Sequence, residues 1–199
     1  MSNTLLFHDG NLSLQEAFGS RAIASRLEAM TRTAFSAADK EFIEGSIYFF
    51  LATSNDRNQP DCSFKGGPPG FVRVTGPSDL AFPDYDGNGM FKSLGNLAVN
   101  ACVGLLFINL HGEPRRLRVN GEARVLRDDP LLAETVGAQM IVRVAARAIF
   151  PNCPRYIPKM KFVEPSPYIP HRGEEPVEPA WKGLEDFRDV VHPRQQTAR

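Results

Sequence analysis

Two short segments of the chain, residues 47–52 and 102–108, carry almost no polar residues. A strand with one solvated face alternates apolar and polar residues, whereas a strand that is apolar throughout is buried on both faces. A small barrel has only one interior, so the outer faces of these two strands need a further cover. The segments therefore predict a barrel wall covered by a second copy of the chain, which makes the protein a homodimer.

Strand and turn signals continue on either side of these segments. Clean alternation predicts a strand over residues 116–126, with Leu117 and Val119 on one face and Arg116 and Arg118 on the other. Further strands are predicted over residues 60–65, 71–75, 80–82 and 139–150, and helices over about 89–97 and 130–136. Short strands joined by turns, with helices at the rim, indicate a mainly β fold built as a small barrel.

Helical patterns precede the barrel. Ser13 and Glu16 match a capping box, which predicts that the first helix begins there, and Gly19 marks a break. Ser36 and Asp39 predict the start of a second helix, which Gly45 ends. We assign these N-terminal helices to residues 1–45 and the barrel to residues 46–150.

Nine of the sixteen prolines follow residue 150, so residues 151–199 cannot form regular sheet or a long helix. The same segment is rich in aromatic and aliphatic residues, which predicts an extended arm packed on the barrel or on the dimer partner. Trp181, Leu184, Phe187 and Val191 have the spacing of a closing amphipathic helix. The three parts are expected to form a single domain.

Charge and cysteine content exclude several classes of protein. Lys plus Arg and Asp plus Glu both number 23, so the chain lacks the strong positive charge of a nucleic-acid binder. Cys62, Cys102 and Cys153 form no CxxC pair, which argues against a zinc ribbon or a disulfide framework. No signal peptide and no apolar run of about 20 residues are visible. We therefore expect a cytoplasmic protein without a membrane partner.

The segment from Asp84 to Gly89 matches D-x-D-x-N-G, the beginning of an EF-hand calcium loop. Position twelve of such a loop needs a bidentate Glu, and this chain has Gly95 there. We therefore expect no metal site. The segment is instead a turn that opens a helix near Gly89, which is either a phosphate-binding helix start or a plain connection.

Three further groups of residues leave alternatives open. Ser63 and Lys65 precede two glycines and can face an anion together, or Lys65 is simply solvated. Arg116, with Arg118 and Asn120, forms either a binding face or a solvated one. Cys153 has no nearby histidine in the sequence to act as a base, which favours a structural role over a nucleophilic one.

Taken in order, these segments resemble a known family. The chain contains DCSFKGGPPGFVRV, LAFPDYDGNGMFKSLGNL, VGLLFINL and RRLRVNGEARVL. This combination resembles the pyridoxamine 5′-phosphate oxidase-like, FMN-binding split-barrel family, with most likeness to its branch of predicted flavin-nucleotide-binding proteins. The resemblance covers residues 7–165, including FHDGNLSLQE and NCPRYIPKM. It implies a six-stranded antiparallel Greek-key barrel and a homodimer with FMN at the interface.

The resemblance also implies a set of cofactor-binding residues. Lys65 matches the family's phosphate or ring-edge lysine, and Arg116 stands where the oxidases place a glutamine that contacts the flavin. Asn88 and Gly89 replace an Arg-Lys pair that binds the phosphate, a role that Lys92 and Ser93 are expected to take. Related oxidases also use a late Trp and Arg, for which Trp181 and Arg155 are analogues. The full predicted set is Cys62, Ser63, Phe64, Lys65, Pro83, Asp84, Asn88, Gly89, Lys92, Ser93, Arg116, Arg155 and Trp181.

The substrate half of the resemblance is weaker, because the residues that bind pyridoxamine phosphate find no match. Oxidation of vitamin B6 is therefore not implied. Two functions are open: an FMN-dependent oxidoreductase acting on a small molecule, or a flavin protein that stores or senses its cofactor. Deazaflavin or heme in place of FMN is a third alternative. Flavin supplies the hydride chemistry itself, so no catalytic acid or base is named from the sequence.

Overall fold

The computed structural model describes residues 6–191 of the chain. Three helices precede the sheet, α1 (Asp9–Ala17), α2 (Arg21–Glu28) and α3 (Ala37–Gly45). The prediction for α3 is confirmed, because Ser36 caps the helix and exchanges hydrogen bonds with Asp39. The predicted start at Ser13 is wrong, since His8 and Asn11 form the capping box and α1 begins four residues earlier than Ser13.

Within residues 6–191, seven strands form one antiparallel sheet in the order β2-β1-β5-β6-β7-β4-β3. The family resemblance implies six strands, whereas the seven observed correspond to the seven segments that the residue pattern predicts. Arg73 and Val74 form the strand expected over 71–75, which is shorter than predicted. The bounds are β1 (Tyr48–Ser54), β2 (Pro60–Gly66), β3 (Arg73–Val74), β4 (Asp79–Tyr85), β5 (Cys102–Asn109), β6 (Arg115–Leu126) and β7 (Ala138–Pro151). The class, mainly β with flanking helices, is confirmed.

The sheet curls strongly around one core. Three strands separate β1 from β4 in the sheet order, yet Phe49 on β1 meets Phe82 on β4 edge to face, with ring centroids 5.0 Å apart. Phe107 on β5 and Phe71 complete this aromatic centre. The curl therefore brings the ends of β2 and β4 close together, although these strands stand near opposite edges of the sheet.

A single chain covers only one face of the two apolar strands. On β1 the side chains of Phe49 and Leu51 are buried, whereas those of Tyr48 and Phe50 are only half-buried. Strand β5 follows the same alternation, with Val103, Leu105 and Phe107 buried and the intervening residues open. The interior of the sheet covers one face of β1 and β5. Their other apolar face is the one for which the sequence predicts a second copy of the chain.

Helix α4 (Lys92–Val99) lies between β4 and β5. The predicted start near Gly89 is wrong by three residues, because the backbone of Gly89 (φ +74°) and of Phe91 (φ +47°) is left-handed and cannot continue a right-handed helix. The predicted helix over 130–136 is likewise shorter, a 3₁₀ turn over Pro130–Ala133 that Asp129 caps.

The arm after β7 is largely irregular, as its prolines predict. Met160 donates its backbone N–H to Leu110 at 2.9 Å, which fixes the early arm beside the β5–β6 turn. The predicted closing helix is wrong: Ala180–Gly183 form a single 3₁₀ turn, and turns follow it. Trp181 and Phe187 nevertheless pack edge to face, with ring centroids 5.7 Å apart, although no helix joins them.

One buried ion pair gives the fold a pH-dependent component. Two nitrogens of Arg143 donate to the two carboxylate oxygens of Asp129, whose side chain is 2 % exposed. The hydrogen bonds from Arg143 hold the pKa of Asp129 below its usual range, although burial acts in the opposite direction. A carboxylate with a lowered pKa stabilises the fold at neutral pH, and this contribution is lost as the pH falls through that lowered value.

We therefore expect Asp129→Asn to lower the free energy of unfolding by about 2 kcal/mol at neutral pH, the range of a charged hydrogen bond. The difference between the two proteins should narrow below pH about 4, where the wild-type carboxylate also becomes neutral. Urea unfolding from pH 3 to 8 measures this effect. A difference that stays constant across that range would contradict the assignment.

Candidate cofactor site

The start of α4 is joined to the edge strand β2 through side-chain hydrogen bonds. The Ser93 hydroxyl lies 2.9 Å from that of Ser63 and 3.1 Å from a carboxylate oxygen of Asp61. Asp61, Ser63 and Lys65 alternate along β2 and therefore share its inner face. Two predicted site residues that are 30 positions apart in the sequence thus meet directly.

The end of β4 faces the same place. Burial raises the pKa of Asp84 above its usual range, the Lys65 ammonium opposes that rise, and the Asp86 carboxylate adds to it. Lys65 and Asp84 are thus close enough to interact through their charges. Ser63, Lys65, Asp84 and Ser93 define what we call the junction, where α4 contacts β2 and the end of β4 lies within charge range of Lys65. Pro83 lies buried beside it.

The amino end of α4 lies at the junction, because Ser93 is the second residue of this helix. No described side chain caps this end, and the residue at the cap position, Phe91, has left-handed backbone. Uncapped N–H groups at a helix start favour an anion. Lys92, the first residue of α4, is exposed and can add a positive charge there.

The residues on the other face of β2 lie away from the junction. Cys62 and Phe64 point outward, and Phe64 stacks on Tyr48 with ring centroids 5.5 Å apart. Phe64 is 62 % exposed, and Phe50 stands opposite it in the strand register. The structure therefore divides the four predicted residues of β2 between two faces, which only a ligand lying along the edge of this strand can contact together.

Arg116 lies on the outer face of the sheet, beside the early arm. Its guanidinium donates to the backbone carbonyl of Cys153, and the Asn152 N–H donates to the Arg116 carbonyl at 3.3 Å. Buried polar atoms of Arg116 (Nε), Asn152 (Oδ1) and His111 (Nδ1) have no hydrogen-bond partner among the described residues. His111 and Asn152 are not among the residues predicted from the sequence; Asn152 is held by Arg116, and His111 pairs with Met160 of the arm.

The remaining predicted residues occupy the loop and the arm. Asn88 uses its side-chain oxygen to accept from the Met90 N–H, so it shapes the exposed loop. Arg155 is exposed on the arm, next to Tyr156, which has left-handed backbone. Trp181 is half-buried and immediately precedes Lys182, whose ammonium contacts Asp86 of the loop. The structure thus brings Trp181 near the β4–α4 loop, whereas Arg155 lies on the early part of the arm.

Within residues 6–191, no group of three or more His, Cys, Asp or Glu side chains is placed to hold a metal ion. In the same residues, none of the helices has the length and apolar character needed to span a membrane.

Comparison with known proteins places the chain in a family. The family model described as pyridoxamine 5′-phosphate oxidase matches residues 35–167, which include the whole sheet and the junction. The protein therefore belongs to the pyridoxamine 5′-phosphate oxidase family. No curated protein matches the chain.

Several solved structures are similar to this chain. An FMN-binding protein from Syntrophomonas wolfei is 10 % identical, covering 70 % of this chain and 97 % of its own, with a TM-score of 0.48. HupZ from Group A Streptococcus is 14 % identical, covering 59 % and 93 %, with a TM-score of 0.46. HutZ, the heme storage protein from Vibrio cholerae, is 17 % identical, covering 57 % and 90 %, with a TM-score of 0.41.

Proposed function

We propose that the protein binds FMN at the junction and along the edge of β2, as a homodimer with the cofactor at the subunit interface. The observation that carries the proposal is the uncapped start of α4 held against β2 by Ser93 and Ser63, with Lys65 on the same face. A helix start and an ammonium together favour a phosphate. Membership of the pyridoxamine 5′-phosphate oxidase family supports the choice of cofactor.

The residues at the junction fit the phosphate end of FMN in a specific way. Lys65 and Lys92 offer positive charge, and the first N–H groups of α4 offer hydrogen bonds. Because the hydroxyl of the buried Ser93 is already bonded to Ser63 and Asp61, we assign it to holding α4 in place rather than to the phosphate. Asn88 and Gly89 shape the loop that replaces the oxidases' Arg-Lys pair.

The flat ring of the flavin requires apolar surface, which this chain offers at Phe64, exposed on the outer face of β2 beside Cys62. Pro83 is buried at the end of β4, so we propose that it supports the site from behind. Bound flavin supplies hydride chemistry, while the protein supplies orientation and electrostatics. Arg116, Arg155 and Trp181 are proposed to complete the site from the sheet and the arm, in the same or the facing subunit.

For the activity, we propose an FMN-dependent oxidoreductase acting on a small molecule other than pyridoxamine phosphate. The alternative is a protein that stores or senses flavin without turnover. Stopped-flow reoxidation of the reduced flavin by candidate acceptors separates these two functions. The absorption spectrum of the purified protein separates FMN from deazaflavin and from heme. Three exposed thiols fit a reducing compartment, so we propose a cytoplasmic location.

Lys65→Ala is expected to weaken FMN binding roughly tenfold to a hundredfold, because a charge-assisted hydrogen bond to an anion is worth about 1.5–3 kcal/mol. Riboflavin, which lacks the phosphate, should bind the variant and the wild type nearly equally if Lys65 serves the phosphate. Titration of the apoprotein by flavin fluorescence measures both constants. Lys40→Ala on α3 is the matched control, since it removes an ammonium outside the junction.

Unchanged FMN affinity in Lys65→Ala would mean that Lys65 is a solvated lysine and does not contact the cofactor. Equal losses for FMN and riboflavin would place the lysine at the ring instead of the phosphate. Failure of the wild-type apoprotein to bind either flavin would reject the proposed function itself.

A further inference from the structure

The late arm returns to the loop between β4 and α4 and contacts it through one lysine. The Lys182 ammonium lies 2.8 Å from a carboxylate oxygen of Asp86 in the loop and 2.9 Å from one of Glu178 in the arm. The Lys182 side chain is only 12 % exposed, so water screens this contact less than it screens a surface ion pair. Hydrogen bonding to Asp86 raises the pKa of Lys182, which keeps the ammonium charged at neutral pH.

A second contact holds the arm at the start of β7. A Cβ added to Gly137, whose φ is +75°, would lie 2.6 Å from Cγ of Pro170, so the proline ring packs directly on the backbone of this glycine. Gln139, two residues along β7, donates to Asp86 at 3.4 Å. The contact at Pro170 therefore anchors the arm against the start of β7. It lies eleven residues before Trp181, so it does not fix the turn that carries Trp181.

We propose that Lys182 is a positioning residue, which latches the arm onto Asp86 and so holds Trp181 at the rim of the junction. This inference rests on the proposed function, because it makes Trp181 of the arm one side of the proposed FMN site. Asp86 lies two residues from Asp84, and the charges of the two carboxylates influence each other. The latch therefore attaches to the loop whose preceding residues line the junction.

The chain itself provides the means to observe the latch. Trp181 is its only tryptophan, so intrinsic tryptophan fluorescence reports on this part of the arm alone. Trp181 is half-buried while the arm is docked. Release of the arm should therefore shift its emission to the red and increase its quenching by acrylamide, whether or not a cofactor is bound.

The test compares Lys182→Met with Lys161→Met. Methionine keeps most of the apolar stem and removes the charge, and Lys161 is an exposed lysine on the same arm. In the apoprotein, we expect Lys182→Met to increase acrylamide quenching and Lys161→Met to leave it unchanged. FMN should bind Lys182→Met roughly threefold to tenfold more weakly, because the variant no longer holds Trp181 beside the site. The effect is moderate because a single ion pair of this kind contributes little free energy.

Asp86→Asn provides the complementary test. Because the two residues share one contact, while Lys182 also binds Glu178 and Asp86 also binds Gln139, the double variant should lose less than the sum of the two single variants. Unchanged quenching in Lys182→Met would overturn the latch. Increased quenching with unchanged FMN affinity would confirm a latch but overturn its role in positioning. If wild-type protein binds no FMN, the proposed function and the positioning role fail together, while quenching still decides whether the latch exists.

Discussion

Phe49→Ala is expected to lower the free energy of unfolding by about 3–5 kcal/mol, the usual cost of removing a buried phenylalanine ring. Phe49 has no exposed surface and contacts the rings of Phe71, Phe82 and Phe107, with centroid distances of 6.0, 5.0 and 5.1 Å. Phe82 lies on β4 and Phe107 on β5, whereas Phe71 lies in the connection before β3. Removing the Phe49 ring leaves a cavity that the surrounding strands cannot fill without changing the curl of the sheet.

Urea unfolding at a fixed protein concentration measures this loss, and the concentration is fixed because the proposed association with a second copy would add to the apparent stability. Phe18→Ala is the matched control, since Phe18, just after α1, is 82 % exposed and its loss should cost less than about 0.5 kcal/mol. A loss below about 1 kcal/mol for Phe49→Ala would mean that this ring is not at the centre of the core.

The features that the sequence predicts well are those that neighbouring residues determine. Ser36 and Asp39 are three residues apart and exchange their own hydrogen bonds, so the start of α3 needs no distant partner. Alternation along β6 likewise places Leu117 and Val119 inside, because successive side chains of any strand point to opposite faces. In both cases the geometry of neighbouring residues is enough to determine the structure.

The errors arise where a distant or unusual contact decides the structure. His8 replaces Ser13 as the first cap because its ring nitrogen accepts from the Gly10 N–H, a role that sequence rules seldom assign to histidine. A bulge shifts the β6–β7 register between Asn120 and Gly121, where a Cβ on Gly121 would overlap the carbonyl oxygen of Ala145. Simple alternation does not predict this close approach.

The candidate site shows the same division. Sequence reasoning selects Ser63, Lys65, Asp84 and Ser93, but only the curl of the sheet explains why residues on β2, β4 and α4 meet. It treats the residues of β2 as one group, whereas the pleat divides them between the junction and the outer face. The sequence gives no indication that Lys182 belongs to the site, because its partner Asp86 is 96 positions away in the chain.

Phe64→Asp is expected to raise the dissociation constant of the dimer by at least about a thousandfold, or roughly 4 kcal/mol. The outer face of β2, β1 and β5 is the half-exposed apolar surface that a second copy is proposed to cover, and Phe64 lies at its edge, 62 % exposed in the single chain. In a two-fold interface each substitution occurs twice. A buried carboxylate without a partner costs several kcal/mol, so two of them should prevent association.

Because Phe64 is exposed in the single chain, the substitution should leave the fold intact and act on association and on the flavin contact proposed for Phe64. Light scattering across micromolar concentrations measures the dissociation constant, and far-UV circular dichroism checks the fold. Phe18→Asp is the matched control, with the same chemical change at an exposed phenylalanine just after α1. If the cofactor lies at the interface, the Phe64→Asp monomer should also bind FMN more weakly. A Phe64→Asp protein that remains dimeric would place the interface elsewhere, and a monomer with unchanged FMN affinity would place the whole site within one subunit.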